Sequence, residues 1–237
     1  MSRGRCIAVA VSVVLAVSAC SQPSDGIAVA TSSGVAPNAA TSTTDAATSA
    51  PTSESASASS EVPGVVPTSP DRIPPNALIC MPTPAGTGEA TRASVSDPAA
   101  PRITITVPEG WSSTPGQGST ALTLTGPEGT SGEVTIVKTD LEPAEAFTQY
   151  NDELFARSDF SVVNTLPAEF CGFSGQRLFG TWADAPGEGI DFANRITHIW
   201  TNTGNYLVTI HLQGPNTSAD LAAAKDTLLA DFPIVIP

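Results

Sequence analysis

Residues 21–75 set the outer limit on what this chain can fold. They are almost wholly Ser, Thr, Ala, Pro, Gly and Val, with a few acids and no Lys or Arg before Arg72. Such a stretch buries too little apolar surface to offset the entropy lost on ordering it. It is therefore expected to be a disordered tether over residues 20–75, and a core can be built only from residue 76 onward. A flexible tether of about 55 residues spans roughly 40 Å end to end, more where prolines stiffen it.

What precedes the tether gives it a purpose. Arg3 and Arg5 lead into an apolar run over 6–17 that ends in the small residues Ser18-Ala19, the layout of a secretory leader. The run cannot cross a bilayer core of about 30 Å as a stable helix, which takes ~20 apolar residues. Val17-Ser18-Ala19-Cys20 resembles a lipobox. The resemblance implies a diacylglyceryl thioether on Cys20, cleavage that removes residues 1–19, and a lipid anchor on the extracytoplasmic face of the cell membrane. Two acyl chains suffice for stable anchoring where one does not. The alternative is a plain secretory leader that happens to end beside a cysteine.

The formal charge is −13, from 10 Lys+Arg against 23 Asp+Glu. Both basic residues of the leader leave with it, so the mature chain is more acidic still. Lys138, Arg157, Arg177 and Arg195 are scattered singly. Nucleic acid demands a clustered basic footprint and is excluded as a partner; electrostatic adhesion to an anionic leaflet is excluded for the same reason. With Cys6 discarded and Cys20 lipidated, Cys80 and Cys171 remain as an even pair in an oxidising compartment. A disulfide between them would close a loop of about 90 residues and contribute roughly 4–5 kcal/mol in the chain-entropy model. Free thiols or a metal pair are weaker readings, because no other ligand sits near either cysteine at metal spacing.

From residue 76 to 237 the composition becomes that of one domain. Arg102–Val107 alternates with period two and ends at Pro108-Glu109-Gly110, a strand and turn. Residues 121–125 and 133–138 read as two further strands. Pro143 opens an amphipathic helix over 143–157 that carries Ala144, Phe147, Tyr150 and Leu154 on one side. Strands follow near 161–166, 175–182, 191–201 and 205–213, the last two as a hairpin. Ser218 caps a closing helix with Leu221, Ala224, Leu228 and Phe232 as its buried stripe. This order predicts an α+β domain, a mostly antiparallel sheet covered by two helices.

The run Ile103-Thr-Ile-Thr-Val-Pro-Glu-Gly-Trp111, the passage Val134 to Phe147, the strand Phe173 to Thr181 and the closing helix together resemble the LpqN/LpqT family of actinobacterial lipoproteins. With the lipobox and tether, the similarity spans nearly the whole chain, although it rests on an order of weak motifs. It implies a Mog1/PsbP-like fold, a three-layer α-β-α sandwich, and a place in a mycolate-type cell envelope. It implies no catalytic residues, and the Cys80/Cys171 pair is not part of its pattern.

Catalytic and cofactor signatures are missing. Gly172-Phe-Ser-Gly175 is one residue short of a nucleophile elbow and precedes a strand. There is no phosphate loop, dinucleotide fingerprint or His-Glu-x-x-His, so no cofactor and no metal are expected. His198 and His211 fall on the expected hairpin. If Thr203-Gly204 is its loop, His198 lies opposite Thr209 and diagonal to His211, with Cβ atoms ~7–8 Å apart. Two histidines on a half-exposed sheet face is the plainer reading; a shared metal would lack a carboxylate beside it. Trp111, Phe147, Phe173, Phe179, Trp182 and Trp200 are either ordinary core or the lining of an apolar pocket between sheet and helix.

The expectation is a non-enzymatic, surface-tethered envelope lipoprotein that binds an apolar envelope ligand, a lipid or glycolipid, as a carrier or accessory factor. The alternative is an interaction module that docks on an envelope or host protein. The anchor itself is testable: Cys20→Ala is expected to move the chain from the detergent phase to the aqueous phase on phase partition of cell extracts. An unchanged detergent-phase fraction would sink it.

Overall fold

The computed structural model describes residues 62–68, 71–83, 85–158, 160–183 and 189–237. The leader, Cys20 and the tether up to residue 61 lie outside the described residues. In chain order the elements are β1 (Ala77–Cys80), β2 (Gly88–Ala93), β3 (Arg102–Pro108), β4 (Ser112–Pro115), β5 (Thr120–Thr125) and β6 (Ser131–Thr139). Then come α1 (Pro143–Phe155), β7 (Phe160–Pro167), β8 (Ser174–Ala183), β9 (Ile190–Thr201), β10 (Gly204–Pro215), α2 (Ala219–Leu228) and β11 (Ile234–Ile236).

The α+β class is as expected, and every ladder between named strands is antiparallel. The strands form two sheets where one was expected: a seven-stranded sheet in the order β4-β5-β6-β10-β9-β8-β7, and a four-stranded sheet in the order β1-β11-β3-β2.

Alternation along β10 explains how one sheet serves two cores. Tyr206, Val208, Ile210 and Leu212 point to one face, where they join Ile199, Val134, Ile136, the four-stranded sheet and the Leu221, Ala224 and Leu228 stripe of α2. The opposite face carries Ile196, Phe192 and Leu178, which pack under Phe147 and Leu154 of α1. Burying one such side chain fully is worth roughly 1.5–3 kcal/mol. Pro143 starts α1, where its missing N–H costs nothing. Ser218 Oγ accepts the Leu221 N–H at 3.3 Å and starts α2. Phe232, expected on the stripe of α2, lies past its end yet is buried, its ring edge-on to Phe170 at 4.9 Å.

Two further differences have local causes. Residues 62–68 and 71–75, read as tether, lie against the fold as a strap. Gly175 N–H donates to Gly64 O at 2.8 Å, and Gln176 Nε2 donates to Pro63 O at 2.8 Å. Asn202 clasps the backbone of Ile73 from both sides, at 2.9 and 2.7 Å. The β9–β10 hairpin turns on Asn202-Thr203, so that Thr201 faces Gly204. Thr201 Oγ1 fixes this turn by accepting from Thr203 N–H at 3.3 Å and donating to Gly204 O at 2.9 Å. The register is two residues from that expected. Side chains keep their faces, but His198 now lies opposite Leu207 and His211 opposite Asn194. The two histidines are then about 13 Å apart along the strands, too far to share a metal.

At the junction of the elements sits Arg195, 1 % exposed. Its guanidinium meets Asp231 at 2.7 Å, donates to Leu229 O at 2.9 Å and Ala168 O at 3.1 Å, and lies 4.5 Å from the centre of the Phe170 ring. Arg195→Met is expected to cost about 3 kcal/mol, because buried carbonyls lose their donors. Asp231→Asn is expected to cost about 1 kcal/mol, since Asp231 is 46 % exposed and water replaces part of the pairing. Urea unfolding of the three proteins checks the order; equal stabilities would overturn it.

Candidate functional site

The helix-covered face of the large sheet is only partly covered. Beside α1, between that helix and strands β6 and β10, is a mostly apolar cavity of about 330 Å³ whose lining includes Val137, Leu141, Ala146, Tyr150, Leu207 and Thr209, together with the polar Lys138, Gln149 and Glu153. Along the same two strands the face continues into a wider groove of about 680 Å³ lined by Thr120, Thr123, Glu133, Arg157, His211 and Gln213. The cross-strand pairs Val137–Leu207, Thr135–Thr209 and Glu133–His211 form consecutive rungs on one face. The surface therefore grades from apolar to polar over three rungs, about 14 Å.

The apolar end arises where two strands break their own alternation. On β6, Ile136 is in the core and its neighbour Val137 is 44 % exposed. On β10, Leu207 interrupts the core set Tyr206 and Val208 and faces α1. Tyr150 leans over the cavity from α1, and burial, its largest influence, raises its phenol well above the usual range.

The polar end is organised by His211. Its ring nitrogens lie 2.6 Å from Asn194 Oδ1 and 3.2 Å from Gln213 Oε1. Trp182 stacks on it at 5.8 Å and on Phe192 at 4.5 Å, so the indole is held between two rings. Burial lowers the His211 pKa; Arg157 adds to this, while Gln213 and Glu133 oppose it. Thr120 donates to Glu133 Oε1. Asn194 Nδ2 is buried without a hydrogen-bond partner among the described residues. The rim thus offers carbonyls, a carboxylate, hydroxyls and one guanidinium, a set that recognises a hydroxylated group.

The six aromatic residues read from the sequence do not make one pocket. Phe147 and Trp182 belong to the core beneath α1. Phe173 and Trp200 share a separate pocket of about 240 Å³. Trp111 packs on the other core, its ring lying so close over Gly126 that a side chain there would strike it. Phe179 is partly exposed on the α2 side, beside Leu221 and Lys225. For the cavity beside α1 the sequence signal is instead the broken alternation at Val137 and Leu207.

Cys80 and Cys171 form a disulfide, with Cα atoms 5.8 Å apart. Ser174 and His198 face each other across β8 and β9, yet each is engaged with backbone. Ser174 Oγ accepts Val66 N–H at 3.0 Å and donates to Val66 O at 3.2 Å. His198 Nε2 donates to Leu141 O at 2.9 Å. Among the described residues no group of three or more His, Cys, Asp and Glu is placed to hold a metal, and no helix is long and apolar enough to cross a membrane.

A family model described as probable lipoprotein LpqN matches residues 88–235. Among solved structures, LpqN of Mycobacterium tuberculosis, described as involved in cell envelope biogenesis, superposes with a TM-score of 0.50 at 16% identity, covering 62% of this chain and 91% of that one. Cyanobacterial PsbP from Synechocystis superposes with a TM-score of 0.40 at 14% identity, covering 64% and 97%. No curated protein matches. All the groove residues named above fall inside the matched span; the strap, β1 and Cys80 precede it.

His198 and His211 both have lowered pKa values, burial being the largest cause in each. The folded state therefore holds them neutral, while the unfolded chain takes up protons below about 6.5. Their contribution to stability is complete above that pH and is lost as pH falls below it toward their folded values. His198→Gln with His211→Asn keeps both hydrogen-bonding positions without the titration, and is expected to flatten the melting temperature just below pH 6.5. A variant as pH-sensitive as the parent would refute this.

Proposed function

The chain belongs to the LpqN lipoprotein family, and from that premise we propose that its domain binds an amphipathic envelope lipid or glycolipid in the groove beside α1. One observation carries the reading: the apolar cavity under Val137, Leu207 and Tyr150 opens along the same strands into the polar rim of Glu133, His211 and Gln213. Acyl chain fits the first part and a hydroxylated headgroup the second. The rim contains Arg157 as its one basic side chain other than the half-buried His211, so a neutral sugar or polyol suits it better than a phosphate, which favours clustered cations. The lipid on Cys20 and the chain up to the strap would hold the domain near its source of ligand. The role is that of a carrier or accessory factor, without chemistry on the ligand, as Ser174 and His198 are each bonded to backbone and not to one another.

A second reading, docking on an envelope or host protein, is favoured by β7. This edge strand has no charged residue, carries a proline only at its end, Pro167, and exposes Val162 at 68 %, with Leu166 and Phe179 on the same face. Natural edge strands are commonly guarded by charge or proline.

Native mass spectrometry of the domain recovered from its own envelope is expected to show bound lipid. Val137→Asp, at an exposed position, is expected to cut lipid capture about tenfold by placing a carboxylate against the acyl chain, with melting temperature unchanged. A domain that is empty and takes up no lipid on titration overturns the groove reading. In that case, cross-linking in cells to a partner lost on Val162→Lys would establish the second.

A further inference from the structure

The seven-stranded sheet ends in two edges, the four-residue β4 and the eight-residue β7. On the longer edge the backbone is paired on one side. Ala168 N–H donates to Gly175 O, in step with the pairing of Pro167 and Gln176. In an antiparallel ladder that parity turns the N–H and C=O of residues 162, 164 and 166 toward β8, and those of Ser161, Val163 and Thr165 outward. Pro167 faces outward too, with a carbonyl and no N–H. On the α2 side of the strand Val162 is 68 % and Leu166 49 % exposed, with the exposed Asn164 between them. The strand carries no charge in a chain of formal charge −13, and the acids nearest in sequence, Asp159 and Glu169, fall beyond its two ends.

We propose that β7 pairs antiparallel with β7 of a second copy of this chain, about a twofold axis through Asn164. The order of side chains selects both the partner and the register. Centred on Asn164, the pairing sets Val162 of each copy against Leu166 of the other. It also brings together the two Asn164 amides, each both donor and acceptor. Val163 and Thr165 then exchange both backbone hydrogen bonds with their counterparts, and Ser161 N–H meets the carbonyl of Pro167 of the second copy. In the register centred on Val163, Val162 would instead face Asn164, apolar against polar. Two acidic copies thus approach along a strand that brings no charged side chain to the seam, and its apolar-amide-apolar order is complementary to itself. A single pair of strands makes a small interface, which holds where the copies are concentrated. The lipid proposed at Cys20 would supply that by confining them to one membrane plane. The groove lies on β5, β6 and β10, away from this edge, and pairing leaves it open.

Cysteine placed on the axis reads the register. The two Asn164 Cα atoms would lie ~4.5 Å apart, within reach of a disulfide, whereas Val162 would lie ~14 Å from its own counterpart, out of reach. In cells making the full-length chain, Asn164→Cys is expected to give a covalent dimer under mild oxidation, mapped by mass to a bridge between the two positions 164. Val162→Cys alone is expected to give at least about tenfold less, and Val162→Cys with Leu166→Cys on one chain to restore the dimer. Adding Val162→Lys to Asn164→Cys is expected to abolish it. An intact Cys80–Cys171 bridge in the same digests shows that the variants fold. No dimer from Asn164→Cys, or as much from Val162→Cys alone, overturns the proposal. A bridge from position 164 to a different protein also overturns it and assigns the strand to the second reading above. Lipid capture by the same variants reports separately on the groove.

Discussion

The guanidinium of Arg195 joins pieces of chain that lie far apart in sequence. It projects from the middle of β9 onto the α2 side of the large sheet, where it meets the last turn of α2 through Leu229 O, the end of the β7 passage through Ala168 O, and Asp231 on the way to β11. Dehydrating a cation costs several kcal/mol unless its hydrogens and charge are all met. The rings of Phe170 and Phe232, the negative end of the α2 dipole and the Asp231 carboxylate supply much of that compensation, while Arg195 Nε is left without a hydrogen-bond partner among the described residues. Burial still lowers the Arg195 pKa to about 10, Asp231 opposing the shift and the neighbouring Arg177 adding to it. Arg177 lies directly across the ladder and donates to the same Leu229 carbonyl at 2.9 Å. Once α2 is fixed in this way, the chain beyond it can run between β1 and β3 and complete the small sheet.

The same arrangement leaves the other face of the large sheet under-covered. Seven strands extend about 29 Å across, whereas α1 is a single helix of 13 residues, about 10 Å wide and 20 Å long. It packs over β9 and its neighbours, and the strap at 62–68 covers part of β8. Strands β4, β5 and β6 are left with an open face. The groove is therefore the remainder when a wide sheet receives one narrow helix, and its chemistry is set by which residues β5, β6 and β10 turn toward that face.

How much of this was legible depends on what kind of force holds each part. Strands β3, β5, β6 and β7 to β10 announce themselves because alternating side chains meet a one-sided core. The four missed strands lack that signal: β2 reads Gly-Glu-Ala-Thr-Arg-Ala, β4 reads Ser-Ser-Thr-Pro, and β1 and β11 have four and three residues. Their place is decided by partners far away in sequence. The strap was hidden for a related reason. Its composition is that of a tether, and it is held by hydrogen bonds from Ser174, Gln176 and Asn202 more than by apolar area. The Cys80–Cys171 pairing followed from counting cysteines. The hairpin register did not follow from its loop, because Thr201 and Asn202 commit their side chains to contacts that the local sequence does not reveal. Of the candidate site, Tyr150, Thr209 and His211 were noticed; the six aromatic residues, read as either core or pocket lining, are divided between two cores, a separate pocket and the surface.

The disulfide also settles how the molecule answers a mechanical load. A pull on the chain upstream of residue 62 reaches the strap first, where bonds such as Gly175 N–H to Gly64 O can be opened one after another, as in peeling. Unravelling reaches Cys80 and stops, because from there the force crosses the sulfur bridge to Cys171 and enters the interior of the large sheet at the start of β8. The strap then behaves as a yielding length of slack in series with a covalent stop. Strain applied upstream of residue 62 is taken up before the bridge, and β11, α2 and the groove beyond it keep their shape.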